Sequence, residues 1–174
     1  MNKKSVMTGP ALFEQEPQEL VRPCPDIRQA SCVIGNAQIN LFWRWQQSTR
    51  SANQALLAQQ LQLADEHYQQ ALQLAEQLRQ QDDQQESYLA AFVISLHNLA
   101  DLALLNGEPD QARRALKRAF RELWHQMKQR PADMLLPHLQ VCRRELAFFC
   151  QNFGADPAAN ALLQLPWPKQ QAGH

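Results

Sequence analysis

Glycine and the β-branched residues are scarce in this chain: 174 residues hold 5 glycines and only 11 valines, isoleucines and threonines together. That stock is too small for pleated sheets. It also argues against the glycine-rich loops that cradle phosphates and dinucleotides. An excess of one charge is missing too, because 17 Lys and Arg balance 17 Asp and Glu. The chain therefore lacks the electrostatic footprint of a nucleic-acid or anionic-membrane binder. The uncharged stretch 87–100 contains His97 and Asn98 and is followed by Asp101. It falls short of the ~20 apolar residues of a membrane span and reads as a buried helix of a soluble protein. Lys3 and Lys4 are not followed by the apolar core of a secretory signal. Cys24, Cys32, Cys142 and Cys150 form no CxxC pair. They read as reduced thiols of a cytoplasmic protein, with a disulfide from the Cys24 region to the Cys142 region as the alternative.

What is abundant is Leu, Ala and Gln, arranged at helical spacing. Residues 1–36 form a separate zone interrupted by Pro10, Pro17, Pro23 and Pro25. It is either a free arm or a segment docked through Phe13, Leu20, Val21, Ile27, Val33 and Ile34, and docking is the preferred reading. Residues 37–153 form the helical domain, and 154–174 a tail with room for a short helix. A first helix carries Ile39, Phe42 and Trp43, then Ala52, Ala55 and Leu56. A second spans about 61–81, with Leu61, Ala64, Tyr68, Ala71, Leu72, Ala75 and Leu78 spaced by three and four. Asp83 and Glu86 resemble a capping box ahead of the third helix, about 85–106. That helix is apolar on most sides and should be central. Gly107 suits a left-handed helix stop and Pro109 the first turn of the next helix, about 109–129. A fifth helix lies within 133–153, with Pro137 near its start.

One internal match stands out. Ala64, Tyr68 and Ala71 recur as Ala112, Leu116 and Ala119, a small–large–small face that lets paired helices approach closely. With Leu96, Leu99, Ala100, Ala103 and Gly107 ahead of the second triplet, the chain resembles the tetratricopeptide repeat family. The weaker copy runs from Ser48 through Ala52 and Ala55 to Ala71 and has Gln59 where the family has a turn glycine. The triplets lie 48 residues apart (112 minus 64), against a usual period of about 34. Two extra turns in each of the second and third helices would absorb the difference. The resemblance implies all-α antiparallel hairpins, with the fifth helix capping the array. It also implies a concave groove lined by the first helix of each pair. Asn53, Leu56, Leu57, His97, Asp101, Leu104 and Leu105 fall on its groove-facing positions, beside Thr49. Asp101 stands where carboxylate-clamping members have an asparagine, which favours a ligand with a basic or amide group.

Other constellations have ordinary explanations. Glu122 and His125 form an ExxH, but no second such pair completes a carboxylate-bridged metal site. His138 and Cys142 lie four apart without the partners of a zinc set. A Cys–His nucleophile pair is available but lacks a glycine-rich oxyanion turn. Arg113, Arg114, Lys117, Arg118 and Arg121 make a basic face that reads as solvation, with an acidic partner segment as the alternative. Trp43, Trp45, Trp124 and Trp167, with Phe148, Phe149 and Phe153, read as packing anchors. His97 and Asp101 have two readings: groove wall, or a hydrogen-bonded pair inside the core. The expectation is a non-catalytic cytoplasmic interaction module without cofactor or metal. It would bind a protein or peptide segment rather than nucleic acid or membrane, and could form a homodimer. A chaperone for a secreted protein is the alternative within this class. A helical-bundle metal protein or enzyme is the rival from another.

Overall fold

The computed structural model describes residues 36–82, 85–129 and 132–166, with side chains from residue 40 and, after the second break, from residue 135. Six helices follow one another: α1 (Asn36–Leu57), α2 (Leu61–Gln81), α3 (Glu86–Leu105), α4 (Pro109–Met127), α5 (Ala132–Phe153) and α6 (Pro157–Leu163). No strand occurs among the described residues, and the protein is all-α. Connections of three or four residues force each helix to run antiparallel to its predecessor. Each helix packs on the next, and α1 also meets α3, α3 meets α5, and α4 meets α6. The odd-numbered helices therefore lie side by side. The N-terminal arm, Asp83 and Trp167 lie outside the described residues.

The turns inside the hairpins explain the arrangement. At the end of α3 the N–H of Gly107 donates to Leu104 O (3.1 Å) and that of Glu108 to Ala103 O (2.8 Å). Gly107 has φ +74°. This is the Schellman pattern, in which a left-handed residue reverses the chain and satisfies the last carbonyls. The same pattern closes α1: Gln59 donates to Leu56 O (2.9 Å) and Gln60 to Ala55 O (2.9 Å). Here Gln59 adopts φ +59°, the one described non-glycine residue with positive φ. α5 ends on Gly154 at φ +84°, whose N–H donates to Cys150 O (3.1 Å). The three left-handed residues are spaced 48 and 47 apart (107 minus 59, 154 minus 107).

Small residues set the distance between paired helices. Ala64, Ala71, Ala112 and Ala119 are all 0% exposed, and Tyr68 and Leu116 fill the grooves between them. α3 is the axis of the fold, buried from Tyr88 through Ala103 on most faces. By length and composition it is long and apolar enough to cross a membrane, and 67% of its most apolar window lies inside the protein. Phe92 at its centre is covered by two guanidinium groups, Arg79 of α2 at 4.6 Å and Arg118 of α4 at 4.9 Å from the ring centroid. Glu122 pairs with Arg79 and Glu76 with Arg118. These crossed pairs tie α2 to α4 through side chains over the aromatic ring.

One expectation is corrected. α3 starts differently from a capping box: its N-cap is Gln85, which makes no side-chain cap bond, so Glu86 is the first helical residue rather than the third. Past Phe153 the chain forms the short helix for which the tail had room. Asp156 caps α6 by accepting from Ala159 N (2.6 Å) and pairs with Lys117, while Arg143 donates to the carbonyls of Leu163 and Leu165. Ala159 is fully buried. α5 and α6 thus close the C-terminal end of the array together.

Candidate functional site

The neighbouring odd-numbered helices define one side of the molecule, and two polar links fix their register. Trp45 Nε1 on α1 donates to Ser95 Oγ on α3 at 2.9 Å, and Ser95 Oγ in turn donates to Ala91 O at 2.8 Å. Further along, His97 Nε2 on α3 lies 3.2 Å from Cys142 Sγ on α5. With helices rising about 1.5 Å per residue, these pairs bring Asn53 level with Ala103 and Leu104 level with Phe149. The C-terminal ends of α1 and α3 therefore carry Asn53, Leu56, Leu57, Asp101, Leu104 and Leu105 at nearby levels.

The seven expected groove residues divide by burial. Leu57 is 53% exposed, whereas Leu56 and Leu104 are half-buried and rest on the core. Asp101 and Leu105 are half-buried as well. Asn53 is committed in part to the fold, since its Oδ1 accepts from Tyr68 OH at 2.7 Å. His97 departs from the groove expectation. It is 2% exposed and faces the fully buried Cys142, because α5 closes over that level of α3. Thr49 is likewise fully buried, its Oγ1 donating to Trp45 O at 3.0 Å. The open part of the surface begins about one turn beyond His97, at Asp101.

The contact of His97 with Cys142 joins two residues that sequence spacing did not pair. His138 lies 3.5 Å from Glu86 Oε1. A Cys–His pair can act as nucleophile and base, but Cys142 has no exposed surface in this fold. Beside His97, Asn98 is 1% exposed and neither its Oδ1 nor its Nδ2 has a hydrogen-bond partner. Such an amide costs about 1–3 kcal/mol.

The ExxH residues also separate. Glu122 turns to Arg79 and accepts from Gln126 (3.3 Å), while the exposed His125 ring meets Gln129 (3.0 Å). Among the described residues no three His, Cys, Asp or Glu side chains converge as metal ligands do. The basic face of α4 is largely spent within the protein. Arg113 pairs with Asp110 at 2.9 Å and lies 5.5 Å from the Phe149 ring centroid, Lys117 pairs with Asp156, and Arg118 pairs with Glu76. Arg114 and Arg121 remain exposed.

Three groups have displaced acidities. The hydrogen bond from Lys117, then that from Ala159 N, hold the Asp156 carboxyl below its ordinary range. Burial, followed by the Asp156 carboxylate, pushes the Cys150 thiol up against the opposite pull of Arg113 and Lys117. Burial, helped by Asp82, also raises the Tyr88 phenol.

Fold and packing together define an all-α protein of consecutive antiparallel helices. Residues 43–166 match the family described as "Protein of unknown function (DUF2753)", and the chain belongs to that family. The match coincides with the helical body from Trp43 to the residues after α6. No curated protein and no solved structure matches the chain.

Proposed function

We propose that the chain is a non-catalytic protein-interaction module of helical-repeat type, resembling tetratricopeptide proteins and working in the cytoplasm. A segment of a partner protein would lie across the end of the side formed by α1, α3 and α5. Leu56, Leu57, Leu104 and Leu105 supply apolar contact in this reading. Asp101 and the amide nitrogen side of Asn53 orient a basic or amide-bearing group. His97 acts from behind the surface by holding α3 to α5.

The observation that carries the proposal is the regular spacing of the three left-handed turn residues, Gln59, Gly107 and Gly154, at 48 and 47 residues. Equal spacing brings the first helix of each hairpin to the same side. Stacked hairpins of this kind create extended binding surfaces.

The test is site-specific crosslinking in cells. A photoreactive residue at Leu105 or Leu104 should capture the same partner protein, whereas one at the exposed Gln73 of α2 should not. Purified partner should then bind the parent chain and lose affinity by about tenfold for Leu105→Asp, the effect of removing one good apolar anchor. Equal capture from all three positions, or an unchanged affinity, would refute the assignment.

A further inference from the structure

A stack of hairpins leaves an open face at each end, and terminal units need a polar outer surface or a cap. At the C-terminal end, α6 with its Asp156 and Arg143 contacts folds over α5 and α4. At the N-terminal end of the described residues, α1 packs on α2 and α3. Its outward stripe follows seven-residue steps, Trp43, Arg50 and Leu57, with Gln47 and Gln54 between them. Trp43 is 54% and Leu57 53% exposed, the two most exposed large apolar side chains among the described ones of the helix. Arg50 and the neighbouring Arg44 are exposed as well. The stripe thus reads apolar–basic–apolar and is about 21 Å long.

We infer that residues 12–21 of this same chain dock on the Trp43–Arg50–Leu57 stripe and cap the N-terminal end of the stack. Their sequence is the complement: Leu12 and Phe13, then Glu14, Glu16 and Glu19, then Leu20 and Val21. Eight residues separate Leu12 from Leu20, about 25 Å at 3.1 Å per residue of extended chain, a path that Pro17 accommodates. The apolar ends of the segment therefore match the apolar ends of the stripe, with three carboxylates over the arginines. Reach is ample in either direction, because the 15 residues from Val21 to Asn36 span up to about 50 Å, whereas α1 is about 33 Å long.

A second copy of the chain fits this surface less well. Pairing two stripes about a twofold axis places Arg50 against Arg50 at the centre, a like-charge contact that disfavours the pair. The segment 12–21, with three acidic residues and no basic one, has no such conflict, and its tethering gives it a high effective concentration. The inference does not depend on the groove reading, whose surface adjoins this stripe on α1 and shares Leu57 with it.

The experiment uses the full chain with a photocrosslinking phenylalanine analogue at position 43, and at Gln73 as control. Irradiating an equal mixture of isotopically light and heavy protein distinguishes crosslinks within one molecule from crosslinks between two. Position 43 should give crosslinks to residues 12–21 within one molecule, well above the control. Arg50→Glu should lower that yield about threefold, the ratio for an exposed ion pair. Adding Glu16→Arg and Glu19→Arg to Arg50→Glu should restore it. Crosslinks between light and heavy chains, crosslinks to other parts of residues 1–35, or no signal above the control each overturn the inference. So does a yield indifferent to Arg50→Glu.

Discussion

Replacing Gln59 by glycine should make this protein more stable, although it removes a side chain and adds backbone freedom. Gln59 sits at φ +59° and closes α1 with the same pair of hydrogen bonds that Gly107 makes at φ +74°. A side chain in the left-handed region costs roughly 1–2 kcal/mol through the clash of Cβ with the following carbonyl. Glycine escapes that cost but loses more entropy on folding, which returns about 0.5–1 kcal/mol. The Gln59 side chain is exposed, so its removal sacrifices little packing. The net expectation is a gain of about 0.5–1 kcal/mol. The reciprocal change, Gly107→Gln, should cost about 1 kcal/mol from backbone strain alone. A Cβ at Gly107 would meet no atom within 4 Å, so no steric penalty is added. Urea denaturation with a common m-value measures both changes. A destabilised Gln59→Gly, or a Gly107→Gln as stable as the parent, would refute the claim that these turns are conformational equivalents.

Four further outcomes are expected. Ala112→Leu overpacks a fully buried contact of α4 and should cost about 1–3 kcal/mol, read as a lowered Tm against the half-buried tail control Ala158→Leu. Asn98→Leu replaces a buried amide that has no partner with an apolar group of similar volume. It should stabilise by about 1 kcal/mol in denaturant titration, and a destabilised variant would show that the amide is satisfied. Because its carboxyl is held low, Asp156 stabilises the fold above its unfolded value, about 3.9, and that contribution disappears as pH falls through the lower folded value. Hydrogen exchange in α6 should therefore rise on acidification before exchange in α2 does, and Asp156→Asn should show fast α6 exchange already at neutral pH. Finally, Cys142 should react with a thiol reagent only through opening of the fold, more slowly than the half-buried Cys150; equal rates would contradict the closure of α5 over α3.

Helices were legible in this sequence because their signals are local. The three-and-four spacing from Leu61 to Leu78 marks α2, and Gly107 followed by Pro109 marks the turn after α3. The small–large–small triplets also announced which residues lie between helices, and all four alanines are fully buried. The turn at Gln59 was harder to read, since nothing in a glutamine advertises a positive φ and only the equivalence with Gly107 exposes it. The tail was legible only as having room for a short helix, because α6 has 7 residues, too few for a period, and its anchors, Lys117 and Arg143, lie far away in the chain. The site was less legible still. Candidate partners for His97 and Cys142 were sought one helical turn away, where spacing can be counted. Their contact spans 45 residues and depends on how α5 leans on α3, which no local pattern encodes.

The contact of His97 with Cys142 yields a test of how the proposed binding surface is held. The two side chains are 2% and 0% exposed and form a polar link between α3 and α5 at 3.2 Å. Cys142→Ala removes the sulfur and deprives His97 Nε2 of that partner, so it should cost about 1–3 kcal/mol. His97→Ala removes a larger group and should cost about 2–4 kcal/mol, most of it through the cavity. If the link matters, the double variant should be less destabilised than the sum, with a coupling of at least about 0.5 kcal/mol. Asp101→Ala, one turn further along and partly exposed, should differ in kind. A surface substitution changes stability by about 0.5 kcal/mol or less, while removing an orienting carboxylate from a binding surface weakens partner capture. A clearly destabilised Asp101→Ala protein with normal capture would place Asp101 with the core rather than the groove. Additive effects of Cys142→Ala and His97→Ala would mean that α5 is held to α3 by packing alone, with no contribution from the polar link.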